Sequence, residues 1–243
     1  RWNPKTWKLE ITKITGTVTC DVSFNSNVSN LTTVVNNKAT RNANGKRYQG
    51  KNPNNYIWFN DELWRIIGNI PVCLKSGCAS TENRVKIIRN DSIGAIKYDE
   101  SSSTWMGSNI QNLLNICYLG KKSSCDSYCY SNATFAKGTC DYSSDGIDAT
   151  DFYGKMVEDV YFNVGAGDST YKTAANYYTQ EIATHTTSTS KIGLMHASDW
   201  GYAIEGFTGV IGNSGYARDS SDKNWLSNAD QWTMSAYSSS KPL

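Results

Sequence analysis

Seven cysteines, at positions 20, 73, 78, 117, 125, 129 and 140, constrain this chain more than any other feature. Four of them fall between Cys117 and Cys140, around a stretch (121–138) rich in Ser, Gly, Asn and Tyr that has too little apolar material to hold itself in place. Two bridges supply what packing cannot, so Cys117, Cys125, Cys129 and Cys140 are expected to be disulfide-bonded, in a connectivity that spacing leaves open. Cys73 and Cys78 flank Leu74-Lys75-Ser76-Gly77, a loop short enough for a local staple contributing about 2 kcal/mol on the chain-entropy estimate. Cys20 is then left over, with its partner expected upstream of Arg1. No cysteine pair meets a second pair, or histidines, at zinc-ligand spacing, so no metal is expected. Disulfides persist in oxidising surroundings, and the chain reads as extracellular, on a cell surface or secreted.

Composition agrees. Hydrophobic residues make up 39% and charged residues 19% of 243, with Asn, Ser, Thr and Tyr filling the gap, as in surface proteins. The net charge of +2 arises from 24 basic and 22 acidic side chains with no run of five or more like charges, which argues against nucleic acid as a partner. No stretch approaches the roughly 18 apolar residues that cross a bilayer, so no membrane insertion is expected within this chain, and no cofactor motif is present. The chain opens at Arg1-Trp2-Asn3-Pro4 inside what reads as folded sequence and closes just after Trp232-Thr233-Met234, so truncation at both ends is expected.

Residues 7–24 alternate apolar and polar (Trp7, Leu9, Ile11, then Val18, Cys20, Val22, Phe24) about Thr15-Gly16-Thr17, which predicts that 1–24 is the terminal β-hairpin of a preceding small β-sandwich module. Residues 25–55 lack apolar periodicity after Val35 and read as a weakly structured connector. From 56 to 243 runs the main domain. NYIWFNDELWRIIGNI predicts two strands about Asn60-Asp61, and RVKIIRNDSIGAI two more about Asn90-Asp91. Helices are predicted over 108–117 behind a Ser108 cap, over 150–162 with Phe152, Met156, Val157 and Val160 inward, and over 169–184 with Ala174, Ala175, Tyr178 and Ile182 inward. KIGLMHASDWGYAI reads as a last apolar strand. The class is α+β: a mainly antiparallel sheet, two to three short helices and long disulfide-pinned loops.

Catalytic chemistry has little to draw on. His185 and His196 are the only histidines; His185, among threonines, reads as solvated, and His196, three residues before Asp199, as a core or turn residue. A His196–Asp199 dyad serving a cysteine requires a free thiol, which an oxidised pair cannot supply. Asp141, Asp145, Asp148, Asp151, Glu158 and Asp159 match no calcium-loop or paired-carboxylate spacing; Asp148 or Thr150 reads as a helix start instead. No catalytic residue is assigned.

Eight Trp and fifteen Tyr exceed what one core needs, and several stand in polar, Gly-rich settings: Trp105, Trp200, Tyr202, Tyr216, Trp225 and Tyr237. Rigid amphipathic rings suit sugar faces and protein partners, so these six are the candidate ligand-binding residues. Trp58, Trp64 and Trp232 read as core.

The blocks NNYIWFNDELWRIIG, RVKIIRNDSIGAI, KIGLMHASDWGYA and NWLSNADQWTMS, in this order over about residues 46 to 237, resemble a family of uncharacterised surface proteins of gut Gram-positive bacteria. The resemblance implies a divergent C-type-lectin-like domain, with specificity in loops at one end of a disulfide-pinned sheet, preceded by the end of an Ig-like module. Members continue past the last block into a further strand pair, and carry an aromatic and a proline where this chain has His196 and Ala197. The expected function is non-catalytic recognition or adhesion toward a glycan or protein ligand. The alternatives are a self-associating structural subunit of a pilus-like filament, whose open sheet edge a neighbour completes, and a secreted hydrolase.

Overall fold

The computed structural model describes residues 30–94, 96–99, 102, 104–125, 127–129, 140–165, 172–211, 223–226 and 233–235, and the backbone pairing of β1, β2, β8 and β9. In chain order the elements are β1 (Trp2–Asn3), β2 (Lys8–Leu9), α1 (Leu31–Lys38), β3 (Arg41–Asn42), β4 (Lys46–Arg47), β5 (Tyr56–Phe59), β6 (Glu62–Cys73), β7 (Thr81–Arg89), α2 (Asn109–Asn112), α3 (Phe152–Met156), α4 (Ala174–Glu181), α5 (Ala197–Tyr202), β8 (Ala236–Ser238) and β9 (Lys241–Pro242). β1 pairs with β2 and β8 with β9. The hairpin expected about Thr15-Gly16-Thr17 and its Cys20 lie outside the described residues.

The architecture is α+β around an antiparallel five-stranded sheet whose axis is the 12-residue strand β6. β7 runs along one edge of β6, from Trp64↔Arg89 to Cys73↔Thr81. The other edge is shared: β5 pairs from Tyr56↔Arg65 to Phe59↔Glu62, and β4 follows at Arg47↔Gly68 and Lys46↔Asn69, with β3 outside it. Turn chemistry sets both hairpins. Asn60 and Asp61 take φ of 52° and 58°, the left-handed pair that a two-residue hairpin loop demands and that Asn and Asp tolerate best after glycine. Between β3 and β4, Gly45 holds φ of 111°, and a Cβ there would meet the Asn69 carbonyl oxygen at 2.6 Å.

A register shift at Ile66/Gly68 accompanies the run of buried residues in β6. Ile66 packs with Val35 and Tyr48, while Ile67 packs with Met195, Ala203, Trp225 and Leu226 on the other side. The near-continuous apolar run in this strand is thereby explained: both of its faces are covered.

Residues 30–55, the described part of the stretch read as a connector, contribute to this sheet. Asn30 caps α1 by accepting from the Thr33 amide at 2.8 Å, Val35 is fully buried, and β3 and β4 follow. One inward apolar residue and a two-residue strand are too short a signal for periodicity to register. The second strand expected after Asn90 does not form among the described residues; Ile93 and Ile96 instead pack into the core as irregular chain. The helix behind Ser108 is present as α2 and a π-helical continuation, Leu113–Tyr118, burying Ile110, Leu113, Leu114 and Cys117. The next is shorter than expected and turned over: Asp151 caps α3, Phe152 and Met156 are 73% and 56% exposed, and Tyr153 meets Phe59 at 5.2 Å. α4 buries Ala174, Tyr177 and Glu181 and leaves Ala175 and Ile182 outside, and the buried Glu181 is met by the Ser198 and Ser235 hydroxyls. KIGLMHASDWGYAI is not a strand. After irregular residues 191–195 it becomes α5, whose Asp199 carboxylate reaches back to accept from the His196 amide at 3.0 Å.

Three disulfides join Cys73 to Cys78, Cys117 to Cys125 and Cys129 to Cys140, the chemistry of an oxidising compartment outside the cytoplasm. Cys117, Cys125 and Cys140 are buried in one cluster with Phe59, Trp64, Leu113, Tyr118 and Tyr142. Among the described residues no helix is long and apolar enough to cross a membrane.

Burial pushes the hydroxyls of Tyr98 and Tyr142 up to about 12, and that of Tyr118 further. The fold favours their neutral forms, so their contribution is fully present below the unfolded value near 10 and is lost as pH rises through about 12. An alkaline titration followed by tyrosinate absorbance and circular dichroism is expected to show these tyrosines ionising together with loss of secondary structure. Independent ionisation with the fold intact contradicts their burial.

Candidate functional site

Of the six rings expected to face a ligand, Trp105, Tyr202 and Trp225 are buried at 3% exposure each. Trp105 packs on Phe162, with ring centroids 6.3 Å apart. Tyr202 lies under Arg41 and Arg47 at 5.0 and 4.8 Å, and its hydroxyl accepts from Asn44 at 2.7 Å. The Trp225 indole donates to the Tyr48 carbonyl at 3.0 Å. Trp200 is half-buried between two clusters; Tyr216 and the Tyr237 side chain lie outside the described residues. The exposure expected of these rings is therefore corrected for three of them. Polar neighbours in sequence misled because those neighbours are spent on local structure: Ser108 caps α2, Asp199 lies in the first turn of α5, and Asn224 accepts from the Leu226 amide.

The reverse holds on β5. Trp58, expected in the core, is 45% exposed and Tyr56 44%, whereas Trp64 is buried edge-to-face against Phe59. Tyr56 and Trp58 are two apart on one strand and so share a face. Across the pair stand Arg65, opposite Tyr56, and the exposed Leu63, opposite Trp58. Tyr56 is held rigidly: its hydroxyl donates to Asn52 at 2.8 Å, and the Arg65 guanidinium lies over its ring at 4.0 Å. Arg65 is in turn fixed by the Trp225 ring at 4.7 Å and by donation to Asn55 at 2.7 Å. The result is a preorganised aromatic platform, exposed on one side and braced by the core on the other.

A second constellation gathers around Asp199, and its two cations had no local signal. Asp199, at the start of α5, accepts from Arg47 and from Lys86 at 2.6 Å each, and from the His196 amide at 3.0 Å. Burial raises the Asp199 carboxyl, but Lys86, Arg47 and His196 outweigh it and hold it well below the usual carboxylate range. His196 accepts from Lys86 at Nδ1 (3.0 Å) and donates from Nε2 to the Asn163 carbonyl (3.0 Å). Beside this cluster the buried Glu181 accepts from Ser198 and Ser235 hydroxyls, both at 2.5 Å. The spacing of His196 and Asp199 is the sequence trace of the cap; Arg47 and Lys86 come from distant strands and leave none.

These contacts bear on chemistry. The His196 ring nitrogens face an ammonium and a carbonyl, and the described cysteines are bridged, so neither a nucleophile nor a thiol meets the pair among the described residues. His185 is half-buried rather than solvated, and burial lowers its pKa. It has metal-ligand spacing to Cys73 and Cys78, but bridged sulfurs are not thiolate donors. Asp141 and Asp148 close tight turns, accepting from Ser143 and Thr150.

A cavity of about 950 Å³ is lined by consecutive residues of β7, and so by both of its faces, together with His196, Asp199, Phe59 and Trp64. Kept dry, such a space costs roughly 20 kcal/mol at the usual cavity penalty, more than a domain's whole stability, so it is a groove open to water or a partner.

Comparison with protein-family models, with curated proteins and with solved structures finds no match to this chain.

Proposed function

We propose that this chain is a non-catalytic domain of a cell-surface or secreted protein, of bacterial origin, that recognises a glycan or protein ligand through the face made by Tyr56, Trp58 and Leu63. One observation carries the reading: two large rings stand about half exposed on a single braced strand face. Preorganised aromatic area binds at low entropic cost, and rings of this kind dominate recognition surfaces. The disulfides support an extracytoplasmic setting. In this reading the sheet and pinned loops are a divergent C-type-lectin-like fold, following the end of an Ig-like module.

A glycan array and a pulldown from extracellular proteins, each run with the native chain and with Trp58→Ala, test it. Retention is expected for the native chain, with a loss of about 2 kcal/mol, roughly thirtyfold, for the variant at unchanged thermal stability. Blank results from both assays at high protein concentration overturn it.

A second reading, a structural subunit of a surface filament, is favoured by the outer edge of β7, which pairs with nothing among the described residues. Sedimentation should then show concentration-dependent association, and a monomer at every concentration removes it.

A further inference from the structure

Among the described residues, the backbone of β7 pairs with β6 and with nothing on its outer side. Successive side chains of a strand point to opposite faces, yet Val85, Lys86, Ile87 and Ile88 all line the 950 Å³ groove. The groove therefore wraps around the open edge. Irregular residues 191–196, including Ile192, Leu194 and Met195, line the same space.

Natural sheets guard an open edge with charge, proline or a covering element. β7 has no proline, and each of its cations is engaged elsewhere: Arg84 with Glu82 and Glu158, Lys86 with Asp199, and Arg89 with Glu62. None is left to repel an incoming chain. We infer that β7 is a strand acceptor, whose groove takes an extended polypeptide segment donated by another chain, with apolar side chains on both faces.

The observations choose this occupant over others. A row of outward backbone amides and carbonyls needs donors and acceptors in alternation, which an extended peptide supplies and a hydrocarbon does not. Apolar walls on both faces of β7 call for apolar side chains on both faces of the guest. Nine residues of β7 span about 30 Å, room for a guest of similar length. The guest's side chains must meet apolar walls on both faces of β7, so the donor is a free extended segment rather than a second packed sheet edge.

The inference deepens the filament reading and is independent of the aromatic face. Its test is hydrogen exchange of the whole chain with a pool of nine-residue peptides bearing Val, Ser or Thr at every position, flanked by lysines. A second pool has proline at the central position, and dodecanoate serves as an amphiphile probe. The first pool is expected to slow exchange within residues 81–89 roughly tenfold or more, with the proline pool and dodecanoate inactive. Unchanged exchange at saturating peptide overturns the inference, as does equal protection by both pools or protection by dodecanoate. A chain that takes the peptides but sediments as a monomer loses the filament reading and keeps this one.

Discussion

Reduction of the three disulfides is expected to unfold this domain under otherwise native conditions. The bridged residues are 5, 8 and 11 apart in sequence, and on the chain-entropy estimate the three closures together contribute roughly 7 to 8 kcal/mol. That is comparable with the whole stability of an ordinary domain, about 5 to 15 kcal/mol. The loss is not confined to loops, because Cys117, Cys125 and Cys140 are packed against Trp64, Leu113 and Tyr118. Thermal melts with and without a phosphine reductant measure the effect. Alkylation of the unreduced chain should leave Cys73, Cys78, Cys117, Cys125, Cys129 and Cys140 unlabelled; a melt indifferent to reductant contradicts the account.

Asp199→Ala is expected to cost about 3 to 5 kcal/mol, since it strands Arg47, at 2% exposure, and Lys86 without their shared counter-ion. Lys86→Met should cost less, because Lys86 is the more exposed of the two cations and Arg47 still neutralises the carboxylate. The sign of the acid response follows from the depressed Asp199 carboxyl. Its contribution is present above the unfolded value near 3.9 and is lost as pH falls toward the folded value. Chemical denaturation of the native chain and both variants at pH 7 and pH 3 checks this; equal stabilities at pH 7 contradict the pairing.

What sequence carried and what it did not can be traced to distance along the chain. The β5–β6 hairpin, the Ser108 helix and the Cys73–Cys78 staple are local, and turn residues, capping residues and spacing announced each of them. The pairing of Cys117 with Cys125 and Cys129 with Cys140 was one of several possibilities that spacing permits. The direction each ring faces is set by what packs over it. Trp58 and Trp64 lie in one apolar block, yet only Trp64 meets Phe59 and Leu113, while Trp225, in a polar neighbourhood, closes over Arg65. The Asp199 cluster joins β4, β7 and α5 across more than a hundred residues, beyond the reach of any periodicity.

The most direct measurement of the recognition surface is a two-dimensional spectrum of the tryptophan indole N–H groups, recorded while adding whichever ligand the array or pulldown retains. The Trp58 signal should move in proportion to occupancy, with Trp64, Trp105 and Trp225 still. Movement concentrated in those buried rings, with Trp58 unaffected, means that binding lies elsewhere and that the β5 face is not the site.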